Sequence, residues 1–253
     1  MNKIVIGNWK MNLTVRESVA LARACVRAMR GKLVVPDVII CPSFTALADV
    51  SKILRNSRIY LGAQNMHSEP SGAFTGEVSG HQLADLSVKY AIIGHSERRA
   101  LGETDELISE KVKSAFNQNI MPILCVGEEK INKAKAEQSV LAQLQSALSK
   151  TRERKGTKII IAYEPAWAIG TGNSARVEDV AAMHKVLRDE AQQKGFKASV
   201  IYGGSVDSEN THEYLREQEI DGLLVGGASL SASQFEVILK IAEEVIAAQT
   251  NNI

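Results

Sequence analysis

Cysteine is scarce in this chain, and what there is builds no framework. The three residues, Cys25, Cys41 and Cys125, are odd in number and far apart. Neither a disulfide scaffold nor the close CxxC spacing of a metal site can be drawn from them. Free thiols of this kind suit a reducing compartment. An excess of one charge is missing as well. With 30 Lys and Arg against 29 Asp and Glu, the formal net charge is +1, too little to recruit nucleic acid or an acidic membrane over the whole surface. No run of five like charges offers an interaction tail. No apolar stretch approaches the roughly 18 residues of a membrane span. The first one, Ile4-Val5-Ile6, is halted by Gly7-Asn8-Trp9-Lys10, too early for the apolar region of a secretion signal. These absences point to a cytoplasmic globular protein with no nucleic-acid and no membrane partner. Linkers and low-complexity stretches are also lacking, and only residues 249–253 read as a frayed end. Residues 1–253 are therefore expected to form a single domain.

What the chain does have is a regular alternation. Eight short apolar runs, at 4–6, 34–41, 59–63, 88–93, 120–126, 158–163, 198–202 and 220–225, recur along it. Their spacing is roughly 20 to 40 residues, the scale of a βαβ unit. Helical stripes lie between them. Val15, Val19, Ala22, Val26 and Met29 step by four, three, four and three. Leu107, Ile108, Val112, Ala115 and Phe116 follow Thr104, which reads as an N-cap with Asp105 and Glu106 in the first turn. Similar stripes comprise Val140, Leu141, Leu144 and Leu148, then Val180, Met183, Leu187 and Ala191, and finally Phe235, Ile238, Leu239 and Ala242. Alternating units imply parallel strands with right-handed crossovers. Periodicity alone does not separate a closed barrel from an open sheet. The count, the length and the lack of a Gly-x-Gly-x-x-Gly turn after an early strand favour α/β architecture of the closed (β/α)8 TIM barrel type.

In such a barrel the active site gathers at the C-terminal ends of the strands. Those ends carry Asn8 and Lys10, Gln64-Asn65, His95-Ser96-Glu97, Glu164, Gly203-Gly204-Ser205 and Gly226-Gly227. Polar residues needed only for solubility have no reason to follow several different apolar strands. Taken alone, a histidine after a strand is more often structural. The polar residues after His95 read as a helix start, which disfavours an imidazolium nearby and leaves a neutral ring able to donate an N–H. Lys10 reads either as a surface charge on an apolar stem or as an ammonium aimed at an anion. Glu97 reads equally as its partner or as a solvated side chain. The two glycine pairs are either turns needing positive φ or places where backbone N–H groups approach an anion. Glu164 leaves a buried strand immediately before Pro165, and Ala166-Trp167-Ala168-Ile169-Gly170-Thr171-Gly172 has the composition of an apolar flap with glycine hinges. The long insert 64–79 carries Met66 and Phe74, which argue against disorder and leave a lid or a subunit contact.

These motifs, in order, resemble the triosephosphate isomerases over almost the whole chain. The matching stretches are Gly7-Asn8-Trp9-Lys10-Met11-Asn12, Gly72-Ala73-Phe74-Thr75-Gly76-Glu77, Ile93-Gly94-His95-Ser96-Glu97-Arg98-Arg99, 162–172, 202–206 and 221–230. The departure is Ala166, where the family's lid commonly carries valine. The resemblance implies reversible interconversion of dihydroxyacetone phosphate and D-glyceraldehyde 3-phosphate, a step of glycolysis and gluconeogenesis, with no metal or organic cofactor. It implies Glu164 as the base, His95 as a neutral proton shuttle, Lys10 as the electrostatic stabiliser and Asn8 as its aid. It places the phosphate on backbone N–H groups around Gly170, Ser205, Gly226 and Gly227. It further implies a homodimer in which the 64–79 loop inserts into the neighbouring subunit. Two other functions stay open on the residues themselves. One is a different sugar-phosphate isomerase or lyase, and the other a barrel serving only as a scaffold.

Overall fold

A computed structural model of the chain describes residues 2–32, 34–128, 133–151, 156–168 and 174–250. Eight strands, all paired in parallel and in sequence order, close into a barrel. They are β1 (Ile4–Asn8), β2 (Asp37–Cys41), β3 (Ile59–Ala63), β4 (Tyr90–Ile93), β5 (Met121–Val126), β6 (Thr157–Tyr163), β7 (Phe196–Tyr202) and β8 (Gly222–Val225). The seam is the register of β8 on β1, where Gly222 faces Ile4 and Val225 faces Gly7. The helices that follow them are α1 (Val15–Ala28), α2 (Leu47–Leu54), α3 (Gly80–Asp85), α4 (Ser96–Ala100) with α5 (Asp105–Asn117), α6 (Lys133–Leu148), α7 (Val177–Gln193), α8 (Thr211–Arg216) and α9 (Ala232–Thr250). The expected barrel is therefore the architecture found.

Burial on both faces of every strand explains why the runs are continuous rather than alternating. The pleat still sorts them. Ile4, Ile6, Ile39, Cys41, Ile92, Ile123, Cys125, Ile160, Ala162, Ile201 and Leu224 pack together inside the barrel. Their neighbours, such as Val5, Val38, Ile40, Ile93, Leu124, Ile161 and Val200, pack outward among the helices. Each fully buried branched side chain contributes about 1.5–3 kcal/mol.

Element starts and one helix face differ from the sequence expectation. β2 begins at Asp37, not residue 34, because Pro36 lacks the N–H that a ladder needs. α1 buries Ser18, Leu21, Ala22 and Cys25, whereas Val15 is exposed and Val19 and Val26 are half-buried. Of the expected stripe Ala22 and Met29 are buried, while Leu21 and Cys25, not Val19 and Val26, complete the buried face. The Thr104 cap of α5 stands as expected, its hydroxyl accepting from the Leu107 N–H.

Candidate active site

Side-chain alternation carries the inward row of each strand beyond its last hydrogen-bonded residue. Ile4 and Ile6 lead to Asn8, Tyr60 and Gly62 to Gln64, and Ile160 and Ala162 to Glu164. A buried apolar run thereby delivers a polar group into the C-terminal mouth at several points around the ring. A cavity of about 270 Å³ opens there, lined among others by Asn8, Lys10, His95, Ser205, Gly226 and Gly227. Six of the eight expected site residues thus converge. Glu164 lies behind this lining, and Gly170 falls outside the described residues, as do the other residues of 169–172 in the expected flap.

Glu164 is 2% exposed and His95 6%. His95 Nε2 lies 3.3 Å from Glu164 Oε1. The other carboxylate oxygen, Oε2, accepts from the Ser96 N–H at 3.1 Å. The carboxylate is therefore drawn back onto the first turn of α4. His95 is the N-cap of that helix, because its Nδ1 accepts from the Glu97 N–H at 3.1 Å. A nitrogen that accepts carries no proton, so the ring hydrogen is assigned to Nε2 and the ring is neutral. Beneath the carboxylate, Cys125 is held well above the usual thiol range, first by burial and then by the Glu164 charge. It stays a protonated wall of the site.

Lys10 adopts a left-handed backbone with φ of 52°, uncommon outside glycine. Two side chains clamp it there. Asn8 Oδ1 accepts its N–H at 3.1 Å, and Gln64 Nε2 donates to its carbonyl at 2.9 Å and to the Cys41 carbonyl at 2.9 Å. The resulting turn aims the ammonium at the mouth, where it meets Glu97 Oε1 at 2.7 Å. Of the two readings of Glu97, the ion pair is the one found. Both partners are partly exposed, so the pair stabilises the fold little and leaves the ammonium free to exchange partners.

The glycine pairs are not positive-φ turns. None of Gly203, Gly204, Gly226 and Gly227 has φ in the left-handed region. Their reason is space. A Cβ on Gly203 would stand 2.9 Å from Glu164 Cγ, while one on Gly227 would point into open cavity with no atom within 4 Å. Gly227 opens the short 3-10 turn Gly227–Leu230 beside the cavity, and the Gly226 carbonyl takes the Ser229 N–H at 2.9 Å.

Glu128, Tyr202 and Tyr214, to which the sequence assigns no role, tie down the residues on either side of the expected flap. Glu128 Oε1 accepts both the Tyr163 hydroxyl at 3.1 Å and the Trp167 indole N–H at 3.0 Å. On the far side, the Tyr202 hydroxyl accepts from the Ala175 N–H at 3.1 Å, and the Tyr214 hydroxyl donates to the Ala175 carbonyl. Burial holds the Tyr163 phenol well above its ordinary range, with the Glu128 carboxylate adding to it. Partners 35 and 39 residues apart in sequence leave no local motif to read.

The 64–79 loop is built differently at its two ends. Met66 is fully buried within its own subunit. Asn65 is tied to Lys111, which also pairs with the buried Glu103. The tip is open, with the Phe74 ring resting on His67 at 4.2 Å and 43% exposed. Met11, Phe44 and Leu101 are also exposed, at 95%, 39% and 76%. All four sit on the loops after β1 to β4, one side of the molecule.

A model of the triosephosphate isomerase family matches residues 3–242. The chain belongs to the triosephosphate isomerase family. It is 43% identical over 246 residues to the triosephosphate isomerase of Dictyoglomus thermophilum, spanning 94% of this chain and 98% of that protein. Identity to the triosephosphate isomerase of Chloroflexus aurantiacus is 43% over 240 residues, covering 92% of this chain and 96% of the relative. The enzyme of Thermoanaerobacter pseudethanolicus is 41% identical over 244 residues, with 93% and 98% covered. Membership in the triosephosphate isomerase family agrees with the barrel. No helix among the described residues is long and apolar enough to cross a membrane.

Proposed function

We propose that this chain interconverts dihydroxyacetone phosphate and D-glyceraldehyde 3-phosphate by proton transfer through an enediolate. The observation that carries this reading is the buried Glu164 carboxylate 3.3 Å from a neutral His95, beside a cavity walled by glycine and edged by the Lys10 ammonium. Glu164 removes the proton from the carbon next to the substrate carbonyl and returns it to the adjacent carbon. His95 donates its Nε2–H to the carbonyl oxygen and passes protons between the two substrate oxygens. A neutral imidazole in this role is a case for which triosephosphate isomerase is itself the usual worked example. Lys10 stabilises the developing oxyanion, with Asn8 holding the Lys10 turn.

Backbone N–H groups of Gly170, Ser205, Gly226 and Gly227 take the phosphate. Phosphate binding then supplies energy for flap closure, which frees Glu164 from Ser96 and excludes water. A coupled assay with D-glyceraldehyde 3-phosphate tests the reading. Turnover is expected, and its absence alongside activity on another sugar phosphate transfers the site to a different isomerase.

The chain works as one domain, in the cytoplasm, as a homodimer. The exposed apolar residues on the β1 to β4 loops support a two-fold contact in which the 64–79 tip of each subunit covers the other. Shortening the tip at 68–73 is expected to give a monomer with depressed turnover. Sedimentation of that variant decides: a dimer that persists removes the loop from the contact.

A further inference from the structure

The opposite, N-terminal mouth of the barrel opens into a larger cleft of about 1090 Å³. The inward row that ends in Glu164 at the top of β6 begins with Lys158 at its foot. Lys197, at the foot of β7, is its direct partner in register and lies on the same inward row as Ile201. Like charges at paired positions repel, yet neither lysine has an ion-pair partner among the described residues. The cleft wall adds Lys89, Lys113 and Lys150. Lys113 and Lys150 share Glu110, whereas Lys89 has no carboxylate partner among the described residues. No Asp or Glu lines the cleft among the described residues.

The wall is also aromatic. Tyr60 meets Tyr90 edge to face at 5.6 Å, and Tyr60 is 43% exposed at the foot of the barrel. Neither hydroxyl has a hydrogen-bond partner among the described residues. Lys89 and Lys158, the two cleft-lining lysines unmatched among the described residues, stand beside an open tyrosine face and form a local conflict that the fold does not need, and such conflicts gather at functional positions.

We propose that this cleft binds a small polyanion carrying a planar ring, the chemistry of a nucleoside polyphosphate. Lys89 and Lys158 take the phosphates, and the ring packs against Tyr60 and Tyr90. The site lies at the end of the barrel remote from Glu164, and it stands whether or not the proposed isomerase reaction does.

The test uses ATP without metal as the probe and a carbon-13 label on the methionine methyl groups. Met121 lines the cleft. Inorganic phosphate is kept saturating, so that the catalytic mouth is occupied. ATP is expected to shift the Met121 resonance at millimolar concentration or below, and added salt to weaken it. The double substitution Lys89→Gln, Lys158→Gln is expected to weaken ATP by about tenfold or more without changing turnover. Both side chains are exposed, so the variant should fold, which its melting curve verifies. Tripolyphosphate is expected to bind less tightly than ATP. An unmoved Met121, an ATP affinity indifferent to the two lysines, or tripolyphosphate binding as well as ATP would each overturn the proposal.

Discussion

The two mouths of the barrel are opposite ends of the same strands, yet their inward rows finish differently. At the C-terminal mouth the rows end in Asn8, Gln64, Gly94, Glu164, Gly203 and Gly226, side chains that are short, polar or absent. At the N-terminal mouth they start with Asp37, Tyr60, Tyr90, Met121, Lys158 and Lys197, which are mostly long or bulky. The first arrangement carves a small cavity in which a carboxylate is almost wholly buried. The second leaves long charged side chains in water. Coulomb interactions at 4 Å strengthen about fourfold when the effective dielectric constant falls from about 80 to about 20. A unit of charge therefore matters far more at the mouth where glycine and desolvation meet.

The largest effect is expected from Glu164→Gln, which keeps the size and removes the proposed base. Turnover should drop by about 10²–10⁴ with the melting temperature nearly unchanged. A variant within about tenfold of the parent would break the assignment of this mouth as the reacting one. Next comes Lys10→Met, which keeps the apolar stem and deletes the ammonium. Removing one well-placed electrostatic stabiliser should cost roughly 3–4 kcal/mol of transition-state energy. Near-normal kcat/KM would return Lys10 to the solvated surface and make the two mouths alike.

Trp167→Phe probes the Glu128 anchor of the expected flap instead of the chemistry. It deletes one of the two donors to Glu128, a hydrogen bond worth about 0.5–1.5 kcal/mol. kcat and KM are expected to move together by less than about tenfold, as hinge changes do. A change in kcat alone would place Trp167 among the reacting groups.

The smallest effect concerns stability and lies between the mouths. His184 on α7 is buried with its ring edge-on to Tyr163, and burial lowers its pKa from 6.5 to about 3. The unfolded state alone binds a proton between these values. Its contribution is therefore present above pH 6.5 and lost as the pH falls toward 3. The parent should lose urea resistance across that window more steeply than His184→Asn. Equal slopes would show that other groups govern acid unfolding.

Much of this contrast was legible in the sequence, for a physical reason. An apolar run marks where its own strand ends, and in a closed parallel barrel all the C-terminal strand ends share one mouth, whichever strands are partners. That is why Asn8, Lys10, His95, Ser205, Gly226 and Gly227 could be named and do converge. Side chains whose role depends on distant partners were not legible. Glu128, Tyr202 and Tyr214 look like ordinary polar or aromatic residues until folding brings them to Tyr163, Trp167 and Ala175. The face of α1 was legible only in part, since Ala22 and Met29 are buried as the spacing implies while Leu21 and Cys25 are buried in place of Val19 and Val26. The reason for the glycine pairs also needed coordinates, since φ and free space are not written in composition.

Transfer of a proton by Glu164 is the central claim, and isotope exchange reaches it most directly. Dihydroxyacetone phosphate is converted in deuterium oxide, and the glyceraldehyde 3-phosphate formed is trapped and examined at its C2 position. The parent chain is expected to deliver deuterium to C2, because a carboxylate that has taken the substrate proton exchanges it with solvent before returning it. Glu164→Gln is expected to form neither product nor label at a comparable rate. Labelled product appearing equally fast from both proteins would contradict the assignment of Glu164 as the base.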